Sequence, residues 1–101
     1  MGWHETRAQH EQLLKELQEE RAAALARISR RLEVLIAQLQ ATREQIAQGR
    51  DEDRARDVAA YRELWKQAVK YRWYLEVQRE SIGLRQHHRL DEFYRIPPLD
   101  P

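Results

Sequence analysis

Between Leu25 and Ile46 the chain repeats one spacing without a break. Leu25, Ile28, Leu32, Leu35, Leu39, Thr42 and Ile46 follow each other in alternating steps of three and four, with only Thr42 polar. This is the seam of a coiled-coil helix. Leu17, Ala24 and Ile36 widen it to an arc of roughly 100°, the width of one buried face. Leu14 extends the same register toward the N-terminus, but Gln18 and Arg21 occupy the seam there and predict looser packing. A helix over about residues 4–48 follows.

Gly49 stands just past the last seam residue, where a glycine free to adopt positive φ commonly closes a helix. Arg50-Asp51-Glu52-Asp53 comes next. Asp51 or Asp53 is the expected cap of a second helix, and three acids suit the positive end of its dipole. A turn over 49–52 is too short for anything but an antiparallel hairpin.

The second helical pattern covers about residues 53–89 and is of another kind. One stripe is Tyr61, Leu64, Ala68, Tyr71, Leu75 and Ile82, and another is Val58, Trp65, Val69, Trp73 and Val77. Together they cover more of the wheel than one partner helix can bury. The expectation is an all-α fold: an antiparallel two-helix hairpin that dimerises into a four-helix bundle. Val58, Tyr61, Leu64, Trp65, Val69, Trp73 and Leu75 are the expected interface residues, since large aromatics dominate interface energetics. Gly83 falls inside the pattern and predicts a kink or early fraying, or else a close helix crossing.

Residues 93–101 contain Pro97, Pro98 and Pro101. Proline has no amide donor and disfavours helix in the residue before it, so an extended tail is expected. Such a tail has the length to run along the N-terminal overhang of the longer first helix. Phe93, Tyr94, Ile96 and Leu99 would then cover Trp3 and Leu13; the alternative is a frayed end.

Composition bounds the function. The 101 residues hold no cysteine, which excludes disulfides, thiolate metal sites and a Cys nucleophile. Mean hydropathy is −0.91, and no apolar run reaches the roughly 18 residues that span a bilayer. No signal-peptide core opens the chain, and Met1-Gly2 with Thr6 meets the myristoylation pattern at too few positions to predict an anchor. A cytoplasmic protein without membrane attachment is expected. Arg supplies 15 of 18 basic residues and Asn is absent, a usage typical of GC-rich bacterial coding sequences.

No motif points to catalysis. Ser29 and Ser81 are the only serines, both inside helical patterns without a glycine-rich elbow, and no phosphate-cradling loop is present. No enzyme activity, cofactor or small-molecule ligand is expected. His10, His87 and His88 would meet at the open end of the hairpin and are the candidates for a metal site. Against it, no pair has the i, i+4 spacing that places two ligands on one helix face.

Charge suggests a second class of partner. Residues 1–53 hold eight basic and ten acidic residues, whereas residues 54–95 hold ten and six. The second helix is thus basic and aromatic, and Arg62, Lys66, Lys70 and Arg79 are candidates for binding RNA or DNA phosphates. These charges spread around the wheel, however, and the chain's pI of about 8.1 is low for a dedicated nucleic-acid binder. The leading expectation is a non-enzymatic protein–protein interaction module, a homodimeric scaffold or adaptor.

Overall fold

The computed structural model describes residues 2–101, and the side chains of these except Trp3 and His4. It is a helical hairpin. Helix α1 (Trp3–Gln48) turns at Gly49 and Arg50 into α2 (Asp51–Ser81), and one further turn, α3 (Leu90–Phe93), follows a loop. Among the described residues there is no strand. The molecule measures 74 × 24 × 15 Å, little more than one long helix with a shorter one on its flank.

The core is where the two seams meet. Leu32, Leu35 and Leu39 are fully buried and Ile46 nearly so, and they face Tyr61, Ala68 and Leu75 of α2. The α2 residues are seven apart, the repeat that keeps one face of a helix turned toward a partner. No charged or polar residue is buried among them. Arg31 reaches across the same antiparallel register: its guanidinium donates to Gln67 Oε1 at 3.4 Å and lies 5.9 Å from the Tyr71 ring.

The hairpin turn is tighter than the sequence suggests. Gly49 does not take positive φ; it is extended, at φ −80°. Glycine is required there for another reason, because a Cβ would sit 2.7 Å from the Gln45 carbonyl oxygen. Neither Asp51 nor Asp53 is the cap. Arg50 holds that position without a side-chain hydrogen bond, and Asp51, Glu52 and Asp53 form the first turn. They act on the helix dipole rather than on individual amides.

Helix α2 ends at Ser81, about eight residues before the expected end. Gly83 is the reason. It adopts φ +91°, Leu84 N–H donates to Arg79 O at 2.9 Å, and Gly83 N–H donates to Glu80 O at 3.0 Å. These are the two hydrogen bonds of a Schellman motif. Gly83 is therefore a helix terminator: the helix ends early here, in an ordered turn rather than by fraying, and with neither a kink nor a crossing point. Ile82 and Leu84 prolong the apolar pattern past the stop, which hides it in the sequence.

The early stop redirects everything after it. The chain reverses, places Leu90 in the core, and runs back along α2 toward the hairpin turn. Asp91 meets Arg72 at 3.0 Å, Trp65 Nε1 donates to Pro97 O at 2.9 Å, Tyr61 donates to Pro98 O at 2.5 Å, and Arg62 meets Asp100 at 3.4 Å. Residues 94–101 thus lie against α2, not along the α1 overhang, and Leu13 stays exposed. The expected cover of Trp3 falls on a side chain outside those described. The chemistry of this path is simple: successive prolines offer carbonyl acceptors and no amide donors, and Trp and Tyr supply the donors.

Candidate interaction surface

Helix α2 presents three faces. The first, Tyr61, Ala68 and Leu75, is buried against α1. The second carries Trp65 and Arg72 and is covered by the returning tail, where Pro97 is buried and Tyr94 and Ile96 are half-buried. The third points away from both. Val69, Trp73 and Val77 are four residues apart, so they line up on one side of the helix. Trp73 is 58% exposed and each valine 39%.

The over-wide apolar arc therefore divides. Tyr61 and Leu75 are core residues, and Val58 and Leu64 pack half-buried at the core's edge. Trp65 is held by Pro97. Of the seven expected interface residues only Val69 and Trp73 remain exposed. The tail is the second neighbour that α2 requires over part of its circumference. Sequence periodicity could not reveal this, because the tail meets α2 as an extended segment, through proline carbonyls, ion pairs and the packing of Tyr94, Ile96 and Pro97, rather than through a helical stripe.

The Trp73 ring is braced from its own helix. Its centroid lies 5.6 Å from that of Tyr74, which in turn packs edge-on against Tyr71 at 5.4 Å. Lys66 and Lys70 flank Trp73 on the same side. Lys66 pairs with Glu63 at 3.1 Å, and Lys70 Nζ lies 5.6 Å from the Tyr74 ring centroid. The other basic candidates are engaged within the chain: Arg62 with Asp100, and Arg79 with Gln86 O at 2.9 Å and His87 Nδ1 at 3.3 Å.

That last contact defines the histidine chemistry. With Nδ1 accepting from Arg79, Nε2 carries the proton it donates to Glu80 at 3.0 Å. His87 thus belongs to a closed Arg79–His87–Glu80 cluster. His88 sits in the neighbouring loop with Arg85 and Arg89. His10 lies on the α1 overhang, about 15 Å further along the axis than the residues level with His87. Among the described residues no group of three His, Asp or Glu is arranged to hold a metal ion. The three candidate ligands are not brought together, because α2 stops before reaching the level of His10.

A second exposed apolar stretch lies on the α1 overhang, which the tail leaves uncovered. The α1 seam continues past the end of α2 as Leu13, Leu14 and Leu17, all more than a third exposed. Leu25 lies beside Leu75, which sets Ser81 level with about residue 19. The 16 residues from Trp3 to Gln18 therefore project as a single helix about 24 Å long. No helix among the described residues is long and apolar enough to cross a membrane. The chain matches no protein-family profile, no curated protein and no solved structure.

Proposed function

We propose that this protein is a non-enzymatic protein–protein interaction module that works as a homodimer of hairpins, four helices in all, in the cytoplasm. The observation that carries the reading is Trp73, a large aromatic side chain 58% exposed at the centre of the outer face of α2, between Val69 and Val77. Tryptophan is enriched among the few residues that carry most of the binding energy of an interface. Behind that face the hairpin core of Leu32, Leu35, Leu39, Tyr61, Ala68 and Leu75 holds α2 against α1.

Thermal melts over a range of protein concentration test this. A dimer whose folding is coupled to association melts at higher temperature as concentration rises. The melting temperature of the wild-type chain is expected to rise over a hundredfold concentration range, and that of Trp73→Ser to stay flat. A flat wild-type profile would overturn the reading.

A further inference from the structure

We infer that the occupant of the Trp73 face is the N-terminal overhang of α1 from a second copy of the chain, and that the exchange is reciprocal. This deepens the reading of the outer α2 face as an interface and rests on it.

Three observations lead to the overhang. Leu14 continues the same α1 seam that buries Leu32, Leu35 and Leu39 against α2, with Leu13 and Leu17 beside it. Its surface is thus already of the kind that packs on an α2 helix. It lacks one only because Gly83 stops α2 at the level of residue 19. Charge comes next. Residues 3–20 hold five acids against two bases, whereas the apolar stripe of α2 is flanked by Lys66 and Lys70. Two overhangs brought together would set like charge against like; an overhang on the α2 face sets opposite charges together.

The third observation is area. A folded monomer of 12.2 kDa is expected to expose about 6,000 Å². This chain exposes 7961 Å². The excess, roughly 1,900 Å², exceeds the roughly 800 Å² that each partner gives to a stable interface.

Lengths agree with the exchange. The overhang is about 24 Å long, and the stripe from Val69 to Val77 about 12 Å. Around a two-fold axis near the Ser81 ends, the two α2 helices lie end to end between two α1 helices. Each α1 covers its own α2 with one half of its seam and the partner's with the other. Leu14 of one copy then lies level with Val77 of the other. The four helices form a staggered stack rather than a bundle side by side along its whole length.

Charge exchange tests the arrangement. One variant carries Glu5→Lys and Glu11→Lys, the overhang acids nearest the level of the partner's lysine pair in this register, the other Lys66→Glu and Lys70→Glu on the α2 face. All four residues are exposed, and helicity is checked by circular dichroism. Alone, each variant is expected to self-associate at least about tenfold more weakly than wild type. Mixed in equal amounts, they restore both contacts and form a heterodimer, read by native mass spectrometry. A mixture that stays monomeric, or single variants that dimerise like wild type, would overturn the inference. Should a variant lose helicity, cysteine cross-linking decides, since the natural chain has no cysteine. Leu14→Cys copies mixed with Val77→Cys copies are expected to give the mixed disulfide dimer; Leu14→Cys copies that link only to each other contradict it. If Trp73→Ser abolishes association while both charge variants dimerise normally, the α2 face is an interface with another occupant. If the wild type is monomeric, both readings fall.

Discussion

Tyr61 and Trp65 tie the returning tail to α2 through single atoms. Each turns a polar atom outward from α2 and donates it to a proline carbonyl of the returning tail. Tyr61→Phe removes one such bond without changing the packed ring. It is expected to lower stability by about 1 kcal/mol, measured by urea unfolding. It should also speed amide exchange in residues 94–100 while leaving the Leu32–Leu39 region unchanged. Burial raises the Tyr61 phenol above its ordinary value of 10.0, against a smaller opposing pull from Arg43. A group raised in this way stabilises the fold fully below about pH 10 and ceases to as pH climbs through the folded value. Wild type is therefore expected to lose stability above pH 10 more steeply than Tyr61→Phe. Parallel curves for the two proteins would show that the phenol carries no linkage.

At the scale of elements, two glycines set the architecture, each for a different reason. Gly83 has positive φ and open space around its missing Cβ. Gly83→Ala therefore meets only the backbone penalty, about 1–2 kcal/mol. Gly49 is extended but pressed against Gln45 O, so Gly49→Ala must shift backbone and is expected to fray the last turn of α1. Thermal melts of the two variants check the first cost, and amide exchange at residues 44–48 the second. The α1 seam and the antiparallel hairpin were legible in the sequence, because a run such as Leu25 to Ile46 has one plausible period and a short turn permits one topology. The end of α2 was not, since Ile82 and Leu84 maintain apolar spacing through a stop set by the sign of one dihedral angle. The path of the tail was lost with it. The candidate surface was legible only in part: the aromatic and apolar character of α2 was plain, but not that Tyr61 and Leu75 lie in the core and Trp65 under the tail while Val69 and Trp73 stay exposed. Leu13, Leu14 and Leu17 had a signal, the mismatch in helix lengths, but it sharpens only once α2 is known to end at Ser81.

For the whole molecule the governing quantity is surface. A 74 Å rod with one two-helix core leaves Trp73 and three leucines of α1 in water. The proposed dimer removes them from water. The tail contributes to the same balance. Removing residues 90–101 takes Leu90 from the core and uncovers Trp65, so it is expected to destabilise the hairpin by several kcal/mol, measured by chemical unfolding. The most direct test of the central claim is the mass of the full chain in solution by sedimentation equilibrium at micromolar concentration. A mass near twice 12.2 kDa, falling to a single chain in a still-helical Trp73→Ser, is the predicted result. A wild-type chain that sediments as a monomer and still unfolds cooperatively would contradict it.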